Sequence, residues 1–220
     1  MEAALTPQRT ATDQTTQALE MLRTNRARTL SMVAPLTQAQ MDYSPGVGRW
    51  SIGEVLDHLL LAEAQNRLDI SRMVELSKAG QTPVVRRSLG EINISPAFLP
   101  KCFLPFLELP FSIISTIIPV SFREAVIRYR VFPAVTADTM TPRKQREAGA
   151  LRMDLTASLT EIECLLETHR HLDYEEMLYQ HPILGTNSVP QLIRLLALHE
   201  QRHQEQIHDI LTDRGFPARS

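Results

Sequence analysis

The sequence predicts an all-α protein, an antiparallel four-helix bundle formed by a single domain over residues 1–220. Apolar residues recur at helical spacing in four separate segments, and no strand pattern alternates with them. Two of these segments open on a capping box, a serine followed three residues later by Glu or Gln. Glycine (8 of 220 residues) and aromatic residues (5%) are scarce, although the turns and strands of a β-protein draw on both.

The first two helices are predicted over residues 8–33 and from Ser51 to about Lys78. Apolar residues recur at helical spacing in the first of them until Pro35 ends the pattern. The second begins at a capping box, because the Ser51 hydroxyl can accept a hydrogen bond from the third helical N–H while the Glu54 carboxylate reaches back. The side that we expect to be buried carries Val55, Leu59, Ala62 and Leu68.

Residues 81–141 break the helical pattern and are predicted to be an insertion between the second and third helices. Residues 94–122 contain five prolines and five of the seven phenylalanines, and proline at this density prevents one long helix. We therefore expect short helices and loops. Three interpretations stay open: the wall of an apolar pocket at one end of the bundle, a homodimer contact, or a contact with a membrane surface. The last would use Arg123, Arg128 and Arg130.

The third and fourth helices are predicted over residues 143–168 and from Ser188 to near Gly215. Pro142 suits the start of the third helix. The fourth has a second capping box, formed by Ser188 and Gln191. The apolar stripe of the third helix consists of Leu151, Leu155, Leu159, Ile162 and Leu166.

Composition excludes several classes of protein. The net charge of -2 argues against a nucleic-acid binder, which needs a basic surplus to neutralise phosphates. No uncharged apolar run reaches the ~20 residues of a membrane-spanning helix, and the N-terminal residues lack the pattern of a secretory signal. Two well-separated cysteines, Cys102 and Cys164, predict free thiols in a reducing compartment, so we expect a cytoplasmic protein.

The strongest chemical signal is the pair His199 and His203 on the predicted fourth helix. Residues four apart share one face, so the two imidazoles can bind one metal ion together; alternatively they are two polar residues on a solvated face. The same segment matches the H-E-x-x-H motif of zinc proteases. The protease interpretation is disfavoured. One class of zinc proteases requires a glycine three residues after the second histidine, where the chain turns so that a third ligand can return, and Gln206 stands there instead. Asp209 has the spacing of that third ligand, but without the turn it lies further along the same helix.

A third ligand is then expected from upstream, and His58 is the best candidate. It lies on the second helix beside the apolar stripe, where a histidine on its own is more often a satisfied core residue than a ligand. The histidine pair on a second apolar helix face favours the ligand interpretation, because helix bundles build metal sites from facing helices. Trp50, just before the helix start, is interpreted as a packing residue.

Three segments together resemble the DinB-like superfamily: RWSIGEVLDHL at 49–59, HPILG at 181–185 and HEQRH at 199–203. That superfamily includes bacillithiol S-transferases and mycothiol-dependent maleylpyruvate isomerases. The resemblance implies a four-helix bundle with one divalent transition metal ion per chain, held by His58, His199 and His203. Imidazole ligands suit Zn, Ni or Fe without separating them. The insertion at 81–141 departs from the common pattern.

Two functional hypotheses follow. In the first, the protein is an enzyme that acts on a small molecule, by metal-assisted transfer or isomerisation with a low-molecular-weight thiol or by hydrolysis. In the second, it is a non-catalytic metal-binding or sensor protein, whose site a fourth protein ligand would close. Glu200 is a candidate general base, or else a surface residue, and His181 either lines the pocket or caps a helix end.

Overall fold

The computed structural model describes residues 7–87, 119–128, 140–181 and 185–218 and is mostly helical, as predicted. The helices are α1 (Pro7–Val33), α2 (Gln38–Asp42), α3 (Ile52–Lys78), α4 (Val120–Arg128), α5 (Ala148–Thr168) and α6 (Val189–Leu211). The strands are β1 (Val84–Arg86), β2 (Leu178–His181) and β3 (Gly185–Ser188). Most of the predicted insertion, residues 88–118 and 129–139, lies outside the described residues, so the three interpretations of that segment stay open. No helix in the described ranges is long and apolar enough to cross a membrane.

The four long helices enclose two apolar clusters, one at each end. One cluster joins the beginnings of α1 and α6 to the ends of α3 and α5, and includes Leu22, Ile70, Ile162 and Ile193. The other joins the ends of α1 and α6 to the beginnings of α3 and α5, and includes Val33, Leu56, Leu151 and Ile207. Helices α1 and α6 therefore run in one direction, and α3 and α5 run in the other.

The shared direction of α3 and α5 differs from the antiparallel order predicted for consecutive helices. The cause is the connection between them. Residues 79–147 are long enough to carry the chain back along the length of a helix before α5 begins. Bundles with one long crossover connection accommodate such a parallel pair.

A small sheet adds to the helical fold and corrects the prediction of a protein without strands. Strand β1 pairs in parallel with β2, and β2 pairs antiparallel with β3, so that Tyr179 lies opposite both Val85 and Asn187. Val85 and Tyr179 are buried against the apolar cluster at the beginning of α6. Strands of three or four residues are too short to show the alternating pattern by which a strand is predicted.

A buried ionic cluster, consisting of Arg26, Glu63, Ser158 and Glu200, links all four long helices. The Arg26 guanidinium, 1% exposed, donates to both carboxylates, to Glu200 at 3.0 Å and to Glu63. It also donates to the carbonyl oxygen of Leu155, and the Ser158 hydroxyl donates to Glu63 at 2.7 Å. Burial raises the pKa of the Glu63 carboxyl. Buried charges that must be paired restrict how helices can slide past one another, so this cluster fixes their register.

Helix α5 begins at Ala148 and not at residue 143 as predicted. The preceding residues are drawn towards α3, because Arg143 and Arg146 bind Asp57. The Glu147 carboxylate then caps the helix, accepting the N–H groups of the second and third residues after it. The predicted capping box of α3 is present: Ser51 accepts from the Glu54 N–H at 3.2 Å, and the Ser51 N–H donates to Glu54 at 2.8 Å.

Candidate metal centre

Three histidines from α3 and α6 converge between the two helices. His58 lies seven residues after the Ser51 cap, and His199 and His203 lie one turn apart on α6. The His199 Nε2 is 3.3 Å from the Nε2 of His58 and 3.1 Å from the Nε2 of His203. One ring nitrogen from each of the three lies within 4.8 Å of the other two. The structure therefore brings together the three side chains that the sequence predicted.

Hydrogen bonds at Nδ1 turn two of these rings towards the centre of the cluster. The His58 Nδ1–H donates to the Met140 carbonyl oxygen at 3.0 Å, and the His203 Nδ1–H donates to the Gln206 Oε1 at 2.9 Å. Both acceptors select the tautomer that carries its proton on Nδ1 and leaves a lone pair on Nε2. Second hydrogen bonds of this kind orient the histidine ligands of metal sites.

A bound cation explains the arrangement of the three imidazoles better than hydrogen bonds between them do. With lone pairs on the Nε2 atoms of His58 and His203, the single Nε2 of His199 can donate a proton to one of them at most. A hydrogen bond from His199 can therefore satisfy only one of these two lone pairs, although both nitrogens lie within 3.3 Å of it. Around a tetrahedral ion with metal–nitrogen distances of 2.0–2.1 Å, two ligand nitrogens lie about 3.3 Å apart. The donor type and both short separations match that arrangement.

Burial favours the neutral form of two of these imidazoles, those of His58 and His199. It lowers the pKa of His58, and the nearby positive charge of Arg202 lowers it further, although the hydrogen bond to Met140 opposes the shift. The pKa of His199 lies well below its ordinary value. Burial is the largest cause, and electrostatic interactions with His203, His58 and Arg202 lower the pKa further. Neutral imidazoles have the free lone pair that a metal ion requires.

Trp50 covers one side of the cluster. Its ring centroid lies 4.9 Å from that of His58, and it stacks on the His203 ring at 6.4 Å. It also packs against the apolar cluster at the beginning of α3, as its predicted packing role requires. Its contact with the histidines was not predicted, because the sequence places it outside the helix, before the cap.

Asp57 is a buried carboxylate beside the cluster that the sequence analysis missed. It is 0% exposed and accepts hydrogen bonds from the Arg143 backbone N–H at 2.7 Å and from Arg146 at 2.7 Å. Burial raises the pKa of the Asp57 carboxyl, but the hydrogen bonds from Arg143 and Arg146 outweigh that effect, so the pKa lies below its ordinary value. The available signal was a charged residue directly before a histidine on the buried side of a helix.

Glu200 and His181, the other two candidates, do not join the cluster. The Glu200 carboxylate is 0% exposed and binds Arg26 within the buried ionic cluster. His181 ends β2, with its ring centroid 6.0 Å from that of Tyr179. Burial, followed by the charge of Arg87, lowers the pKa of His181 to about 4.

Within the described ranges, the cluster has three possible ligands and no fourth: no further His, Cys, Asp or Glu joins it. Three imidazole ligands, with a fourth position taken by water or substrate, are one arrangement found in catalytic zinc sites. A family model described as the DinB superfamily matches residues 21–207, which is most of the chain. Comparisons with curated proteins and with solved structures find no match.

Proposed function

The chain belongs to the DinB superfamily, and from that membership and the histidine cluster we propose that it is an enzyme with one divalent transition metal ion (Zn, Ni or Fe). His58, His199 and His203 hold the ion through Nε2. The observation that carries the proposal is the convergence of three Nε2 atoms, two of them with Nδ1 bound to a fixed acceptor. In this proposal the four long helices form the four-helix bundle of the family, with the site in its core.

The charges around the cluster favour an anionic substrate group. Three neutral imidazoles leave the full charge of a divalent ion uncompensated, and Arg202 adds positive charge near His58 and His199. The buried carboxylates that adjoin these ligands in sequence, Asp57 and Glu200, are already bound to arginines. A divalent ion in such a site acts as a Lewis acid and lowers the pKa of a bound water or thiol.

A low-molecular-weight thiol is the substrate that we infer, because a metal ion deprotonates a bound thiol and the superfamily includes thiol-dependent transferases and isomerases. In S-transfer the thiol gives its proton to solvent, its sulfur forms a bond to an electrophilic carbon, and the leaving group departs with its bonding electrons. Isomerisation would instead use addition of the thiolate to a carbon–carbon double bond, rotation about the resulting single bond, and expulsion of the thiolate as the double bond re-forms. Hydrolysis would use water in place of the thiol. The absence of a fourth ligand from the described residues supports an enzyme over a structural or sensory metal site.

Metal analysis of protein purified without a histidine tag tests the metal assignment. We expect one ion per chain in the wild type, and loss of stoichiometric metal in His58→Ala, His199→Ala and His203→Ala. His208→Ala is the matched control, since His208 is exposed on the same helix. Trp50 is the single tryptophan of the chain, so quenching of its fluorescence by Co²⁺ gives a second measurement. A variant that keeps stoichiometric metal removes its histidine from the site.

Titration of the Co²⁺-loaded protein with 2-mercaptoethanol tests the substrate class. Direct sulfur coordination predicts a new sulfur-to-cobalt absorption band, and ethanol is the matched probe that produces none. A loaded protein whose spectrum does not respond to the thiol contradicts the thiol assignment and leaves the metal assignment standing.

A further inference from the structure

The carboxylate of Asp57 holds a separate part of the chain against α3. Asp57 Oδ2 accepts the backbone N–H of Arg143 at 2.7 Å, and Oδ1 accepts from the side chains of Arg146 at 2.7 Å and Arg143 at 3.1 Å. Asp57 is fully buried, whereas the side chain of Arg143 is 69% exposed. The bond to the backbone fixes the path of residues 140–146, which a bond to an exposed side chain alone would not do.

The same segment supplies the acceptor that orients His58. Met140 lies three residues before Arg143, and its carbonyl oxygen accepts the His58 Nδ1–H at 3.0 Å. Consecutive residues of α3, Asp57 and His58, therefore bind the same short segment at two points. If the bond at Asp57 is lost, the Met140 carbonyl is no longer held, and the His58 ring can change its tautomer or rotate.

We infer that Asp57 is a positioning residue of the metal centre: by fixing residues 140–146 it keeps the Met140 carbonyl on His58 Nδ1 and the Nε2 lone pair directed into the cluster. The inference rests on the proposed metal-binding function. Partners outside the first ring of ligands typically contribute 10–100-fold to metal affinity. Because Asp57 acts through Met140, we expect an effect on the order of 10-fold, the low end of that range.

The variant Asp57→Asn keeps the shape of the side chain and removes its charge. Asp154→Asn is the matched control, because Asp154 also accepts from Arg146 but lies on α5, and its bond is to the Arg146 side chain and not to the backbone. Two measurements apply: the Kd for Co²⁺ from Trp50 fluorescence, and the tautomer of His58 from ¹⁵N NMR of the metal-free protein. A role in stability alone would change neither the tautomer nor the affinity of folded protein.

We expect Asp57→Asn to raise the Kd about 10-fold and to shift His58 away from the Nδ1–H tautomer, with Asp154→Asn unchanged in both. If Asp57→Asn folds and has the His58 tautomer and the Kd of the wild type, the inference is overturned. Binding of Co²⁺ by the wild type would still support the proposed function. A wild type that binds no Co²⁺ overturns the proposed function, and the tautomer measurement still decides the positioning role. If circular dichroism shows Asp57→Asn to be unfolded, Arg143→Pro, which removes the backbone N–H that Asp57 accepts, replaces it with the same expectations.

Discussion

At the scale of single residues, the sequence indicates which histidines can act as ligands but not how their rings are held. The four-residue spacing of His199 and His203 places both on one helix face, and the apolar stripe indicates that His58 faces inward. The acceptor for His58 comes from Met140, which is 82 residues away. No local spacing predicts such a contact, and for the same reason Asp57 was missed.

His181 gives a prediction at this scale, since burial lowers its pKa from 6.5 to about 4. The unfolded chain then takes up a proton before the folded chain does as the pH falls. The stability associated with neutral His181 is complete above pH 6.5 and is lost as the pH falls towards 4. Linkage gives a loss of roughly 2 kcal/mol between pH 7 and pH 5.

Urea unfolding of the metal-free protein at pH 7 and pH 5 measures this loss. We expect the stability of His181→Gln to fall by roughly 2 kcal/mol less than that of the wild type over this interval. The other buried histidines titrate alike in both proteins and cancel in the comparison. Equal losses in the two proteins would contradict the lowered pKa.

At the scale of helices and strands, the buried ionic cluster predicts an unusual response to mutation. Arg26→Met removes the cation and leaves Glu63 and Glu200 facing each other in the core, so we expect a loss of about 3–5 kcal/mol. Replacing both carboxylates as well, by Glu63→Gln and Glu200→Gln, removes the unpaired charges. We therefore expect the triple variant to be more stable than the single variant.

Urea unfolding at pH 7 tests this order, with Arg23→Met as the control. Arg23 also lies on α1, but its side chain is 44% exposed and pairs with Glu163 at the surface. Its replacement should cost about 0–1 kcal/mol. A triple variant less stable than Arg26→Met would mean that the carboxylates are stabilising without their arginine.

The helix caps give a second prediction at this scale. Ser51→Ala removes the cap of α3, and Thr37→Ala removes the corresponding capping box of α2. Each should lower the free energy of unfolding by about 1 kcal/mol. Since Ser51 begins the helix that carries His58, only Ser51→Ala should also weaken Co²⁺ binding. Equal Co²⁺ affinity in the two variants would show that the first turns of α3 do not position the site.

The predicted elements differ from the structure where the chain responds to distant partners. The starts of α3 and α6 were predicted because the capping residues are local. The start of α5 was displaced because Asp57, on another helix, binds the residues before it. The sheet was missed because β1 finds its partner β2 more than 90 positions further along the chain.

At the scale of the whole molecule, the histidine cluster joins two helices that lie far apart in sequence. An ion that binds only the folded chain stabilises it by about 2.7 kcal/mol when its free concentration is 100 times the Kd. We expect this increase for the wild type and none for His58→Ala, measured by urea unfolding with and without Zn²⁺. Equal increases in the two proteins would place the Zn²⁺ elsewhere.

The separation of 141 positions between His58 and His199 also sets the order of events during synthesis. His58 leaves the ribosome early, whereas its two partners emerge only with the last long helix. In the proposed function, the three ligands of the ion can therefore come together only after this last long helix has been synthesised.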